Sequence, residues 1–296
     1  MRTERANAKI NVYLDVTGRR ENGYHNILSI MQTVSLCDLV SIEYRPGIHT
    51  SIRLDASGND AMPTDCRNLA WRAAEKLLQR AERSGEVHII IEKHIPMAAG
   101  LAGGSADAAA VLRGLNTLCG SPLSVDELCE VGATLGADVP FCIRGGAALV
   151  TGIGEQMTSI ATMPQGYLVV ACRGEGVSTP WAYGELDRKY DFFQAAKTPD
   201  NRPTSIENAW KKGDLAGSCQ DFFNLFEEVV PPARRDVDDL KQTMLACGAV
   251  RSMMSGSGPS VLGVFEKAED AARAAEMLTG TGAVAYVCHP TAAYSV

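Results

Sequence analysis

The stretch PMAAGLAGGSADAAA, residues 96–110, decides the fold, because it is a glycine-rich loop that runs directly into a helix. Its glycines let the backbone approach a ligand closely, and the alanines that follow favour a helix. We predict Ser105 as the N-cap of that helix. A strand, VHIII at 87–91, precedes the loop. Strand, loop and helix N-terminus together predict a site for an anion, and a phosphate chain is the expected ligand.

The loop matches neither of the two commonest phosphate-binding patterns. No lysine follows Gly104, so GxxxxGK[ST] is absent, and the glycines read GxxGG rather than GxGxxG. Taken alone, the loop could also be a plain connection between a strand and a helix.

Composition restricts the function. The chain has 296 residues, of which 46% are hydrophobic and 21% charged, with a formal net charge of −7. An acidic chain without a lysine- or arginine-rich run argues against nucleic acid as a partner. No apolar run reaches the roughly 18 residues of a membrane helix, and the charged start MRTERANAKINVYL is unlike a signal peptide. We therefore expect a soluble, cytoplasmic protein with no membrane partner.

The nine cysteines and five histidines lack the spacing of metal ligands. No two cysteines form a CxxC pair, their number is odd, and most lie in apolar segments. This pattern is typical of small buried side chains in a reducing compartment. We predict no disulfide framework and no metal held by protein ligands.

The order of predicted elements divides the chain into two domains, 1–163 and 164–296, at a composition shift near Met163. In the first, strands are predicted at 27–35 and 40–44, with a break at Asp38. The second has the order strand, helix, strand, strand, helix, strand, which is typical of ferredoxin-like domains. A helical insertion follows its first strand.

Two charged positions are candidates for chemistry. Lys9 and Asn11 share one side of a predicted strand, where they could bind an oxyanion; the alternative is a solvated lysine on an edge strand. Asp138 is followed by Val-Pro-Phe, so partial desolvation could raise its pKa and suit a general base. The alternative for Asp138 is an aspartate that stabilises a turn before proline.

Two further loops suit a ligand. Tyr24 and His25 follow an Asn-Gly turn and could stack on and hydrogen-bond to a ring, or could belong to an ordinary hairpin. SGSGPS, residues 255–260, predicts a tight hairpin that could also close over phosphates.

The joint order of AKIN, GYH, the loop, GADVPF and SGSGPS resembles the GHMP kinase superfamily. Its hallmark, Pro-x-x-x-Gly-Leu-x-Gly-Gly-Ser, is matched at 96–105. The resemblance implies an α+β fold of two domains: an N-terminal ribosomal-protein-S5-like α/β domain and a C-terminal ferredoxin-like (split βαβ) domain. Segments 8–27 and 136–155 resemble the branch that phosphorylates the 2-hydroxyl of a cytidine diphosphate-linked methylerythritol for isoprenoid synthesis. Alternatives are a mevalonate or homoserine type of kinase, or a non-catalytic nucleotide-binding protein.

The resemblance also implies roles for individual residues. Asp138 would accept the hydroxyl proton, and Lys9 would keep that carboxylate ionised and offset developing charge. ATP would be the co-substrate, with Mg²⁺ bound mainly by its phosphates. The implied ATP-binding residues are Asn68, Lys93, Pro96, Met97, Ala98, Ala99, Gly100, Leu101, Ala102, Gly103, Gly104, Ser105 and Ala106.

The substrate-side residues implied by the resemblance are Asn11, Tyr24, His25, Thr179 and Tyr183. Tyr24 and Tyr183 would sandwich the cytosine. Trp181 stands where the family often has an aliphatic residue, which leaves the shape of the cytidine pocket open. A small molecule is the expected partner, and the chain is expected to be a monomer or a weak homodimer.

Overall fold

The computed structural model describes residues 1–58, 61–192 and 202–294. Its strands are β1 (Arg2–Arg19), β2 (His25–Pro46), β3 (Ser51–Ser57), β4 (Gly85–Glu92), β5 (Ala147–Thr151), β6 (Gln156–Ser159), β7 (Tyr167–Cys172), β8 (Phe223–Asn224), β9 (Arg251–Met254), β10 (Val261–Phe265) and β11 (Val284–Cys288). Its α-helices are α1 (Leu69–Arg80), α2 (Gly103–Leu118), α3 (Val125–Ala133), α4 (Val139–Arg144), α5 (Thr179–Lys189), α6 (Arg202–Lys211), α7 (Leu215–Ser218), α8 (Val230–Ala233), α9 (Arg235–Ala246) and α10 (Ala268–Gly280).

The first sheet has the strand order β3-β4-β2-β1-β8, and β5 and β6 extend it from β2. Residues 6–16 of β1 are all buried, so this strand lies inside the molecule with both faces covered. The alternative of a solvated lysine on an edge strand is therefore wrong for Lys9.

Strand β2 runs without interruption through the predicted break at Asp38. The Asp38 side chain is fully buried, and its carboxylate accepts the backbone N–H groups of His94 and Ile95 at 2.6 and 2.8 Å. A polar residue that looked like the end of a strand thus fastens the segment that follows β4.

Helices α1 and α2 pack against each other and α2 packs on the sheet. Helix α2 can lie close to its neighbours because its buried side chains include a run of alanines. Helix α3 begins with a capping box formed by Ser124 and Glu127. The short helix α4 follows, with Asp138 at its N-cap.

The second sheet has the order β11-β7-β10-β9 and is antiparallel throughout. With α9 between β7 and β9, and α10 between β10 and β11, this is the ferredoxin-like arrangement, which confirms the predicted fold class. Helices α5 to α8 lie in the predicted insertion, of which 193–201 fall outside the described residues. The insertion also contributes β8, which pairs with β1 of the first sheet.

The proposed boundary at 163 falls between β6 and β7, and the domain limits themselves stay a prediction. Within the described part of the chain, none of the helices combines the length and apolar character needed to span a membrane.

Candidate active site

One cavity of about 1040 Å³ gathers the predicted site residues. Its wall includes Lys9, Asn11, Tyr24, His25, Asn68, Lys93, every residue from Pro96 to Ser105, Asp138, Thr179 and Tyr183. The exception is Ala106, which is buried within α2 and whose amide donates to the carbonyl of Ala102. The predicted site residues that face this space are up to 174 positions apart in the chain, from Lys9 to Tyr183.

The glycine loop is held from both sides by backbone contacts. The Lys9 amide donates to the Leu101 carbonyl at 3.1 Å, which ties the loop to β1. Gly100 has a φ of +76°, and a Cβ at this position would lie 3.0 Å from the carbonyl oxygen of Ser255. The predicted hairpin at 255–260 connects β9 and β10 and thus also supports the loop. Gly256 and Ser257 of this hairpin line the cavity themselves.

The predicted cap at Ser105 is wrong. Helix α2 starts at Gly103, with Ala102 as N-cap in the left-handed region at φ 57° and without a side-chain capping bond. The left-handed residue turns the chain into the helix before Ser105 is reached, so Ser105 lies in the first turn. The first amides of the helix therefore have no side-chain cap in competition with a ligand.

Lys9 and Asn11 form the side-by-side pair that strand spacing predicts. The Lys9 ammonium donates to Asn11 Oδ1 at 2.7 Å, and Asn11 Nδ2 donates to Ser29 Oγ at 2.8 Å. Lys9 is only 6% exposed, so its charge is held in a nearly dry position at the cavity wall.

Asp138 occupies the N-cap position of α4, but its side chain makes no capping bond. The ion pairs of the described residues do not include one between Asp138 and Lys9. Both nevertheless act on the buried thiol of Cys142, whose pKa is raised first by burial; Asp138 raises it further and Lys9 lowers it. The two charges thus share one neighbourhood without direct contact.

A buried ion cluster lies beneath the loop. The Lys93 ammonium, with a side chain 4% exposed, contacts the carboxylates of Asp38 and Asp107, the latter at 2.8 Å. Burial is the largest cause that raises the pKa of Asp107, to about 7. Its Oδ1 atom has no hydrogen-bond partner among the described atoms, and Asp107 lines the cavity.

Sequence reasoning missed Asp38 and Asp107. A lone acid in the alanine-rich stretch SADAAA was the available signal for Asp107. Asn68 is largely occupied by local structure: it caps α1 through the Ala70 amide and donates to the Pro63 carbonyl at 2.8 Å.

The far end of the cavity is aromatic. The rings of His25 and Tyr183 stack at 4.6 Å between centroids with an interplanar angle of 18°, and Phe226 meets Tyr183 edge-on at 4.9 Å. Tyr24 is 60% exposed at the rim. The Thr179 and Ser257 hydroxyls lie 2.8 Å apart, which joins α5 to the hairpin at 255–260.

A carboxylate that sequence reasoning missed holds the histidine. Asp187 Oδ1 lies 2.7 Å from His25 Nε2, and Asp187 Oδ2 lies 3.2 Å from the Arg19 guanidinium. Asp187 lies outside the motifs that carry the resemblance, so no motif pointed to it. Trp181 is 39% exposed and is not among the residues that line the cavity.

Comparison with known proteins identifies the class. The family model described as GHMP kinases N terminal domain matches residues 68–146, and the model described as GHMP kinases C terminal matches residues 208–284. The two matched regions contain the glycine loop with Asp138 and strands β9 and β10 of the ferredoxin-like sheet, so the chain is a member of the GHMP kinases.

More similar relatives narrow the family. The 4-diphosphocytidyl-2-C-methyl-D-erythritol kinase of Geobacter sulfurreducens is 42% identical over 276 residues, which are 93% of this chain and 94% of the relative. That of Exiguobacterium sibiricum is 41% identical over 93% of both chains. Within the GHMP kinases, the chain belongs to the family of 4-diphosphocytidyl-2-C-methyl-D-erythritol kinases.

A solved structure of a protein with a name equivalent to that of these relatives has the same fold as this chain. A crystal structure of 4-(cytidine 5'-diphospho)-2C-methyl-D-erythritol kinase superposes with a TM-score of 0.81 at 32% identity, and covers 98% of this chain and 99% of its own. A mevalonate kinase of L. major with bound R-mevalonate has a TM-score of 0.73 at 17% identity, covers 99% and 97%, and shares the fold alone.

Proposed function

We propose that the chain transfers the γ-phosphoryl group of ATP to the 2-hydroxyl of 4-diphosphocytidyl-2-C-methyl-D-erythritol, a step in isoprenoid precursor synthesis. One observation carries this proposal: Lys9, Asp138 and the glycine loop line the same cavity as the aromatic surface of His25 and Tyr183. The relatives that share about 41% identity carry the name of this activity.

The nucleotide end suits a triphosphate. The uncapped amides and the positive end of the α2 dipole face the cavity and favour negative charge there. We assign Mg²⁺ chiefly to the phosphate oxygens of ATP, because Mg²⁺ is usually bound by substrate phosphates and one or two protein ligands. Cavity oxygens of the type Mg²⁺ prefers include the Ser105 hydroxyl and the carboxylates of Asp107 and Asp138. When bound, Mg²⁺ would neutralise charge on the phosphates.

The chemistry assigned to the two charged side chains is proton removal and charge compensation. Asp138 accepts the proton of the 2-hydroxyl as that oxygen forms a bond to the γ-phosphorus, and the bond to the ADP oxygen breaks. The Lys9 ammonium, oriented by Asn11, offsets the negative charge on the reacting oxygens. Positioning by the cavity walls supplies the rest of the rate enhancement.

The aromatic end suits a nucleobase. Stacking of a base on an aromatic side chain contributes on the order of 1–3 kcal/mol, and Tyr24 and Tyr183 are the two tyrosines assigned to it. His25 and Thr179 offer hydrogen-bonding groups beside them. A mevalonate or homoserine substrate has no ring that would use such a surface, and a non-catalytic role would leave both Lys9 and Asp138 without a purpose.

The test is a panel of alcohols incubated with the protein, ATP and Mg²⁺, with products read by mass. We expect a gain of one phosphate on the cytidyl substrate only, and inhibition by CDP through competition with it. If mevalonate or homoserine gains the phosphate instead, or if the protein binds ATP but yields no product, the proposed function is wrong. We also propose that the protein acts in the cytoplasm. We expect it to be a monomer or a weak homodimer, and sedimentation measures this oligomeric state.

A further inference from the structure

One buried arginine touches all three elements that carry the proposed catalytic groups. Arg113 lies on α2, the helix that follows the glycine loop, and is 4% exposed. Its Nη1 donates to the Cys142 carbonyl of α4 at 2.7 Å, and its Nη2 donates to the Arg5 carbonyl of β1 at 2.9 Å. Lys9 is on β1 and Asp138 is the N-cap of α4. The Arg113 guanidinium therefore links helix α2 to the strand that carries Lys9 and to the helix that follows Asp138.

Tyr294, near the end of the chain, covers that arginine. The guanidinium carbon lies 3.7 Å from the centre of the Tyr294 ring, a cation–π distance. The Tyr294 hydroxyl donates to the Arg5 carbonyl at 3.1 Å and accepts from the Asn7 amide at 3.1 Å. The Tyr294 amide donates at 2.9 Å to the carbonyl of Arg144, the last residue of α4. Burial is the largest cause that raises the pKa of Tyr294, as expected for a ring packed against protein.

Helix α4 depends on such support. It has six residues, and a helix this short is marginal by itself. The Asp138 side chain makes no hydrogen bond that caps the first turn of α4. Its second half is fixed by Arg113 at Cys142 and by the tail at Arg144, while a Cβ on Gly145 would lie 2.8 Å from the Tyr294 ring.

We propose that Arg113 and Tyr294 form a positioning pair that fixes the helix of Asp138 relative to Lys9 and the glycine loop. This inference rests on the proposed kinase activity for its kinetic consequence. Neither residue lines the cavity, so neither contacts substrate and both act through α4. Displacement of a catalytic group by about 1 Å can lower a rate by roughly 100-fold.

The test compares three full-length variants. Tyr294→Leu removes the ring over Arg113, Tyr294→Phe keeps the ring and loses the hydroxyl, and His289→Ala removes a ring of the same tail. His289 bonds to the Gly166 carbonyl and stacks edge-on with Tyr167, away from α4. We expect Tyr294→Leu to lower kcat by roughly 10- to 100-fold with the ATP dissociation constant unchanged. Tyr294→Phe and His289→Ala are expected to retain most of the wild-type kcat.

Hydrogen exchange supplies a readout that is independent of turnover. The Cys142 amide donates to the Asp138 carbonyl and the Gly145 amide to the Phe141 carbonyl, so both report on α4. Tyr294→Leu should speed exchange at these amides, and His289→Ala should not. This comparison holds even if the wild-type protein phosphorylates another alcohol, so failure of the proposed function and failure of this inference can be told apart.

Three results overturn the inference: wild-type kcat and wild-type exchange in Tyr294→Leu, an equal loss in His289→Ala, or an equal loss in Tyr294→Phe. Thermal unfolding establishes that each variant is folded. If Tyr294→Leu does not fold, Arg113→Lys carries the same test, because lysine keeps the charge but cannot donate to Cys142 and Arg5 with a planar fork.

Discussion

The two ends of the cavity are built by different means. The nucleotide end is a contiguous run of backbone, 96–105, pressed against the hairpin at 255–260 and supported from below by the Lys93 ion cluster. The aromatic end consists of side chains from distant segments: Tyr24 lies before β2, His25 is the first residue of β2, and Thr179, Tyr183 and Asp187 are on α5. Its ion pairs are partly exposed: the Asp187 side chain retains 22% of its surface.

This difference teaches which changes each end tolerates. A site of backbone amides responds to substitutions that add a Cβ or forbid a φ value, whatever the chemistry of the side chain. A site of side chains responds to loss of a single contact. The chain shares its fold with a mevalonate kinase at 17% identity, and one fold can serve different substrates when the side chains of the site differ.

The largest effect on kcat is expected at Asp138, which lines the cavity. Asp138→Asn keeps the size of the side chain but removes the proton acceptor, so kcat should fall by about 100- to 10,000-fold. Binding of ATP, measured by calorimetry, should stay near the wild-type value because the loop is unaltered.

Asp55→Asn is the control for Asp138→Asn, since Asp55 is on β3 and pairs with His88 outside the cavity. It should turn over at the wild-type rate. Unchanged turnover in Asp138→Asn would remove this carboxylate from the mechanism.

The sequence was informative about the nucleotide end because its signal is local. Fifteen consecutive residues contain the loop and the first half of its helix, so local sequence predicts an anion site, and the comparisons confirm the class. Local reasoning nevertheless placed the cap at Ser105, because N-cap preference says nothing of a left-handed Ala102. It also broke β2 at Asp38, because the partners of that carboxylate lie 56 and 57 positions away.

The aromatic end of the cavity could be predicted only in part. Tyr24 and His25 follow a turn signal, but the contact between His25 and Asp187 joins residues 162 positions apart. No spacing rule covers such a pair. Arg113 raises the same difficulty, since its partners come from β1, α4 and the chain end.

The second largest effect is expected on ATP binding, at the nucleotide end of the cavity. Gly100→Ala should weaken ATP binding by roughly 10- to 100-fold, because a left-handed φ for a residue with a Cβ costs on the order of 1–3 kcal/mol and the added Cβ meets the Ser255 carbonyl. Calorimetric titration with ATP measures the change.

Gly120→Ala is the matched control for Gly100→Ala. Gly120 has a φ of +86°, but a Cβ there meets no atom within 4 Å. It therefore carries the φ strain without the close approach, and its ATP affinity should not change. Equal ATP affinities in the two variants would contradict a role for close packing at the loop.

A smaller effect tests the side-chain end. Asp187→Asn removes the charge beside His25 and Arg19, so the ring of His25 loses its charge-assisted partner, a contact worth roughly 1.5–3 kcal/mol. Because the pair is partly exposed, we expect about a 10-fold rise in KM for the cytidyl substrate, at the low end of that range. KM for ATP should not change.

Glu185→Gln on the same helix is the control for Asp187→Asn, since Glu185 pairs with Arg188 at the surface. If Asp187→Asn raises KM for ATP as much as KM for the cytidyl substrate, the two ends of the cavity do not act separately. If Glu185→Gln raises KM for the cytidyl substrate as much as Asp187→Asn does, the contact between Asp187 and His25 is not the cause.

The smallest effect on catalysis is expected at Asp107, where the consequence is for stability. The folded protein raises the pKa of this carboxyl from 3.8 to about 7, chiefly by burial. Between these values the folded chain binds the proton more tightly than the unfolded chain, so stability falls as pH rises from about 4 to about 7. Asp107→Asn lacks this titration. Relative to the variant, the wild-type free energy of unfolding should therefore fall across that window, by at most about 1.4 kcal/mol per pH unit, and the difference should be constant above it.

Urea unfolding at several pH values measures this difference, and Asp126→Asn, which removes an exposed carboxylate on α3, is the control. A relative stability that rises with pH would mean that the attraction of Lys93, rather than burial, governs Asp107. The backbone end would then be supported by a fully ionised cluster. Lys93 would then form two buried ion pairs, with Asp38 and with Asp107. The two ends of the cavity would differ more in this respect, because the ion pair of Asp187 is partly exposed.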